Sequence, residues 1–275
     1  MKLQTIVDIK PSDWKIGYED KILMLGSCFS DEMGAQMQQC YLNVTCNPFG
    51  TLYNPLSIAH ALQITEMPEL IEHDGLWHSM AHHGAFSRST KEGAELAVRE
   101  SIEKMQRALQ EATVVIVTFG TAWVYEMDGQ IVGNCHKLPE KEFVRIRLSV
   151  EEIVNAWKPI LERYADKRWI FTVSPIRHIK DGLRENQLSK ATLLQAVEQL
   201  GDYFPSYEIM LDELRDYRFY ADDLVHPSSM AVNYIWERFV DTYCTNQTKN
   251  ELVLQHKRWK HEHHVPLHRF KTGAD

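Results

Sequence analysis

The stretch KILMLGSCFSDEMG, residues 21–34, changes character at Gly26. Before it, Lys21 to Leu25 form a short apolar run. After it come the small and acidic residues Ser27, Ser30, Asp31 and Glu32, leading into AQMQQCY at 35–41. The pattern reads as a strand, a tight turn and a helix entered through a serine. Such a unit places a side chain at the carboxyl end of a strand and at the positive end of a helix. This is where α/β proteins bind and transform ligands.

The pattern repeats downstream. LNVTC (42–46) is β-prone and stops at the turn-rich NPFG (47–50), with a second Asn-Pro at Asn54-Pro55. TVVIVTF (113–119) is a continuous β-branched run, as expected of a central strand covered on both faces, and RWIFTV (168–173) repeats it. SYEIML (206–211) is expected as a weaker fifth strand. Amphipathic helices are expected at 150–165, 186–201 and 230–243. This alternation predicts a flavodoxin-like three-layer α/β/α fold, with a mostly parallel five-stranded sheet and an inserted helical and loop region. The insertion falls at about 56–110; both its ends look helical, and its middle, DGLWHSMAHHGAFSRS (74–89), is rich in histidine and aromatic residues. One α/β domain is therefore expected over 1–245, followed by a polar and basic extension over 246–275.

Of the 275 residues, 44% are hydrophobic and 25% charged, ordinary for a globular chain, and the formal net charge is −8. That charge disfavours a nucleic-acid partner. No apolar run approaches the roughly 20 residues of a membrane helix, and the acidic N-terminus lacks the apolar core of a signal peptide, so a cytoplasmic location is expected. Five cysteines without a C-x-x-C pair suggest free thiols rather than disulfides or a zinc site. His82-His83, Cys135-His136 and His261-Glu262-His263-His264 lack the spacing of known zinc sites, so neither metal nor other cofactor is expected.

Two local patterns carry chemistry. Ser27 follows the first strand at the entry of a helix, a position suited to a nucleophile or simply to a cap. ADDLVHPS (221–228) places Asp223 three residues before His226, so that the carboxylate can hold the Nδ1 proton and leave Nε2 facing a nucleophile.

GSCFS (26–30) and DLVH (223–226) resemble the first and last blocks of the SGNH (GDSL-like) hydrolase superfamily. Together with NPFGTLYNP (47–55), FGTAWVY (119–125), NCHKLP (134–139) and SPIRH (174–178), they resemble the GSCFA family. The resemblance spans about residues 20–240. It implies a serine esterase or acyl-transferring hydrolase with Ser27 as nucleophile, Asp223 and His226 completing the triad, and backbone amides of Ser27 and Gly50 in the oxyanion hole. The superfamily's Gly-Asp-Ser opening is altered here to Gly-Ser-Cys, which makes Cys28 a rival nucleophile. Its Gly-x-Asn-Asp block reads Gly120-Thr121-Ala122-Trp123, which leaves Thr121, Asn54 or Asn134 as the third donor. Asn54, Asn134, His136, Arg177 and His178 are expected to touch substrate, and His78, His82, His83 and Ser87 are further candidates. Phe49, Tyr53, Trp77, Trp123 and Tyr125 suit either a core or a sugar ring, so a small-molecule or carbohydrate ester is the expected substrate. The alternative is a non-catalytic carbohydrate- or ligand-binding module on the same fold.

Overall fold

The structure is a computed structural model that describes residues 4–264. The elements in chain order are β1 (Lys21–Gly26), α1 (Cys28–Gln39), β2 (Asn43–Cys46), α2 (Pro55–Gln63), β3 (Leu70–His73), β4 (Leu76–Ser79), α3 (Lys91–Glu111) and β5 (Val114–Phe119). There follow β6 (Trp123–Met127), β7 (Gln130–Val132), β8 (Val144–Arg147), α4 (Val150–Arg163), β9 (Arg168–Val173), α5 (Leu183–Val197), β10 (Asp202–Phe204), α6 (Ser206–Glu208), α7 (Ser229–Tyr243) and α8 (Asn246–Glu262).

The central sheet runs β10-β9-β5-β1-β2, with every pair parallel. Counting only these five strands, this is the flavodoxin-like order 2-1-3-4-5, and the three-layer α/β/α expectation holds. Alternation explains the continuous apolar runs. Leu23, Leu25, Val115, Val117 and Phe171 face one core with α2, α3, α4 and α5. Ile22, Met24, Val114, Ile116 and Ile170 face a second core with α1 and α7. Each side chain so buried contributes roughly 1.5–3 kcal/mol.

β1 lies between β2 and β5, so the chain leaves β1 toward one edge and later returns to its other side. This switch point opens a crevice at the carboxyl ends of β1 and β5, where Gly26 and Thr118 are level. Gly26 must be glycine. Its φ is +134°, and a Cβ there would lie 2.2 Å from Thr118 O.

Two expectations are corrected, and one sheet is new. The fifth strand is β10, not SYEIML: Pro205 ends the strand, and 206–213 coil into α6 and a π turn that buries Tyr207, Ile209 and Met210. The middle of the 56–110 insertion is an antiparallel hairpin, β3–β4, not a loop over the sheet edge, and it packs against α3. After β5 the chain adds an antiparallel sheet, β7-β6-β8, around an Asp128-Gly129 turn with positive φ at both residues. The extension after 245 begins with α8, whose Leu252 joins the second core; residues 265–275 lie outside the described part. Among the described residues, no helix is long and apolar enough to cross a membrane.

Candidate active site

The turn after β1 sets out two side chains in different ways. Ser27 has extended backbone angles and is the N-cap of α1, its Oγ accepting from Phe29 N at 3.3 Å. It is 0% exposed, packed under the turn. Cys28, the first residue of α1, is partly exposed and lines a cleft of about 480 Å³.

The opposite wall is the short loop before α7. Ala221 N donates to His226 O and Ser228 N to Phe219 O, closing the loop, and Ser228 caps α7. Within it Asp223 Oδ1 accepts from the backbone N–H groups of Val225 and His226, both at 2.9 Å. Asp223 Oδ2 lies 2.6 Å from His226 Nδ1. The two backbone N–H bonds, and then the imidazole, hold the Asp223 carboxyl down at about 2. An ionised carboxylate only accepts, so Nδ1 carries the proton and Nε2 presents its lone pair.

His226 Nε2 faces Cys28 Sγ at 3.6 Å. No hydrogen bond joins Ser27 Oγ to His226. The expected grouping of Ser27 with Asp223 and His226 is therefore displaced by one residue, because the turn spends Ser27 on capping the helix and turns Cys28 outward. Burial pushes the Cys28 thiol up, aided by Asp31 and Glu32 and opposed by the Cys28 and Phe29 amides. The resting group is a neutral thiol beside a base.

The Cys28 amide, in the first turn of α1, makes no hydrogen bond to another residue among the described residues. Gly50 does not share its role. Its N–H donates to Asn47 O at 2.8 Å and its φ of +77° serves that turn, with a Cβ position only 2.3 Å from His83 Cβ. Thr121 lines the cleft, but its N–H donates to Tyr53 O and its Oγ1 accepts from Trp123 N and bonds Ser189 Oγ. Asn54 also lines the cleft and caps α2, accepting from Ser57 N and donating to Ser57 Oγ; its second amide hydrogen has no partner among the described residues.

The remaining expected site residues divide. Asn134, Arg177 and His178 line the cleft with Tyr53, Trp123 and Tyr125. His178 is held through its backbone by Asn186 Oδ1, and burial, with Lys190 and His226 nearby, pushes it down to about 3, so it stays neutral. His136 belongs elsewhere: it bonds Ser79 O and stacks against His78 in the neighbouring histidine pocket. His78 bonds Ser87 Oγ and His73 O, His82 bonds Ser79 and Ser101 hydroxyls, and His83 caps a short helix. Phe49 stacks on His82 in the core, and Trp77 pairs through its backbone with Arg88. Among the described residues, no group of three or more His, Cys, Asp or Glu side chains is placed to hold a metal ion.

The sequence reading does not anticipate Arg145, Lys180 and Asp181 in the cleft, or Lys190 beneath it. Lys190 is fully buried and donates to Gly120 O and Ser174 O at 2.7 Å each, tying together the ends of β5 and β9; burial pushes it down to about 7. A signal was present: Asn186, Ser189 and Lys190, spaced i, i+3, i+4, put three polar side chains on the buried face of α5.

No curated protein matches the chain. Among solved structures it is similar to the psychrotrophic esterase EstA from Pseudoalteromonas sp., in a structure inhibited by monoethylphosphonate. That likeness covers 82% of this chain and 96% of the other at 11% identity, with a TM-score of 0.35. A model of the GSCFA family matches residues 21–239, the whole span from β1 to α7, and the chain belongs to the GSCFA family.

Proposed function

We propose that the protein is an acyl-transferring hydrolase of ester bonds that uses Cys28, His226 and Asp223. One observation carries the reading: Cys28 Sγ lies 3.6 Å from His226 Nε2, while Asp223 lies 2.6 Å from Nδ1 of the same ring. A nucleophile, a base and a group that orients the base stand in sequence, as covalent acyl transfer requires. The resemblance to SGNH hydrolases supports the same reaction class, with a thiol in the serine's place.

The chemistry balances with these groups alone. His226 Nε2 takes the Cys28 proton as sulfur attacks the ester carbonyl. The developing oxyanion meets the Cys28 amide at the start of α1 and the free amide hydrogen of Asn54. Collapse expels the alcohol, protonated by the imidazolium, and leaves an acyl thioester on Cys28. Water, or a second alcohol, gives its proton to His226, attacks the thioester, and releases acid or new ester with the thiol restored. Asp223 stabilises the imidazolium in both halves. Tyr53, Trp123 and Tyr125 form the wall for the rest of the substrate, which supports an acylated carbohydrate. A reducing cytoplasm suits a reactive thiol and five unpaired cysteines.

Inactivation tests the proposal. Iodoacetamide is expected to abolish hydrolysis of an aryl ester in step with alkylation of Cys28, while a fluorophosphonate leaves Ser27 unlabelled. Labelling of Ser27 with loss of activity would return the nucleophile to serine. An absence of turnover in the native protein would leave the ligand-binding module as the function.

A further inference from the structure

The chain carries a net charge of −8, yet the cleft beside Cys28 is cationic. Its lining includes Arg145, Arg177 and Lys180 against one lining carboxylate, Asp181, with Asp223 behind His226 on the opposite wall. Arg145 Nη1 and Lys180 Nζ both donate to Tyr125 Oη, at 2.8 and 2.9 Å. Two like charges thus share one neutral acceptor. Asp181 pairs with Arg145, and among the described residues the carboxylate within ion-pair distance of Lys180 Nζ is that of Glu140, 4.0 Å away and 96% exposed, where an ion pair is weak. Arg177 donates to Leu224 O and lies over the rings of Tyr220 and Tyr217, with no carboxylate partner among the described residues. The Nε atoms of Arg145 and Arg177 make no hydrogen bond.

The aromatic wall points the same way. The Arg145 guanidinium sits over both Trp123 and Tyr125, 5.3 and 4.9 Å from the ring centroids, and Arg147 sits 5.9 Å from the centre of Trp123. Each of these two rings thus carries a guanidinium beside it. Arg147 has its own carboxylate in Glu185 at 3.6 Å; Lys180 and Arg177 have none comparable.

From this arrangement we infer that the substrate carries an oxyanion group, a carboxylate or a phosphate, which docks against Arg145 and Lys180 beside Tyr125. The inference rests on the cleft being the substrate site and names the class of substrate that enters it. Planar carboxylate and tetrahedral phosphate share the chemistry that recognises them here, donors from a guanidinium fork and an ammonium.

Alkylation of Cys28 by iodoacetate and by iodoacetamide, mapped by peptide mass, measures the field without turnover. The iodoacetate-to-iodoacetamide rate ratio, divided by that of 2-mercaptoethanol, is expected to be raised about fivefold or more at low salt and to collapse near 0.5 M salt. Lys180→Glu should bring the ratio below that of the free thiol, with Lys180→Gln between; the side chain is exposed, so both variants keep the fold. A wild-type ratio equal to the free thiol's, or one unmoved by Lys180→Glu, overturns the inference. Protection of Cys28 by succinate alone assigns a carboxylate, by phosphate alone a phosphoryl group, and by both a general oxyanion site; protection by neither overturns it. If the ratio and its salt dependence hold while no ester is cleaved, the anion site stands and the acyl-transfer reading falls. If esters are cleaved with no charge preference, the reverse holds.

Discussion

The insertion around His82 and the rim around His226 hold the same kinds of groups, imidazoles beside hydroxyls, thiols and carboxylates. They differ in what those groups have left to bond. His82 is 0% exposed, stacked at 4.0 Å on Phe49, and both ring nitrogens are bonded to hydroxyls, Ser79 at 2.7 Å and Ser101 at 2.8 Å. His226 is half exposed, fixed at one nitrogen by Asp223, and faces a thiol at the other. A satisfied imidazole builds a core, and a half-satisfied one at a cleft can move a proton. The density of histidines in a sequence does not separate the two cases; their partners do.

The largest effect expected on the His226 side is from Cys28→Ala. It should lower kcat/KM on an aryl ester by on the order of 10⁶-fold, as loss of a nucleophile does elsewhere, with an unchanged thermal midpoint. Retained turnover in that variant would break the comparison at its centre. Asp223→Asn comes next, with a loss on the order of 10⁴-fold, because the amide can no longer hold Nδ1–H toward itself. Asp222→Asn, one residue away and exposed, should stay near wild type. Equal losses in the two variants would mean that the orienting carboxylate is misassigned.

On the His82 side the effect falls on stability. His82→Ala removes a stacked ring and strands the buried Ser79 hydroxyl, while Ser101 keeps its bond to Val98 O, and is expected to cost about 2–4 kcal/mol while leaving turnover per folded molecule intact. Burial pushes His82 down from 6.5 to about 3. Below pH 6.5 the unfolded chain takes up a proton that the folded one refuses until about pH 3. The contribution is thus complete above 6.5 and lost as pH falls toward 3. The unfolding free energy should fall between pH 7 and pH 4, by at most about 1.4 kcal/mol per pH unit for each such histidine, and thermal midpoints should fall with it. His82→Gln should flatten that slope; an unchanged slope would place the acid sensitivity elsewhere, His178 being the next candidate because burial also pushes it to about 3.

The smallest effect expected is from Ser27→Ala. Loss of the cap bond to Phe29 N should cost about 1 kcal/mol in thermal or denaturant unfolding, with kcat/KM within a few-fold of wild type. A loss of turnover comparable to that of Cys28→Ala would contradict the division between the two neighbours.

Much of this was legible in the sequence, and the exceptions have physical reasons. The run 113–119 declared a central strand because both of its faces meet a core. The Asp-x-x-His spacing at 223 and 226 pointed to the contact between the carboxylate and the ring, but not to the two backbone amides that the other carboxylate oxygen holds. SYEIML misled because Tyr207, Ile209 and Met210 suit a buried helix turn as well as a strand, and only Pro205 distinguishes them. The β6–β8 wall was hidden because its strands are only three to five residues long and β8 alternates Arg with apolar side chains, though Asp128-Gly129 marked its turn. The side chain that faces His226 lies one position after the expected serine because a serine after glycine satisfies two roles on paper. Counting from the glycine, Gly26-Ser27-Cys28 puts cysteine third, where Gly-Asp-Ser has its serine.

The central claim is tested most directly by trapping the covalent intermediate. The protein is mixed with an aryl acetate, quenched in acid within the first turnover, and mapped by peptide mass. The account predicts one added acetyl group on Cys28, discharged by neutral hydroxylamine as a thioester is, and absent in Cys28→Ala but present in Ser27→Ala. An acetyl group on Ser27, surviving in Cys28→Ala, would contradict it.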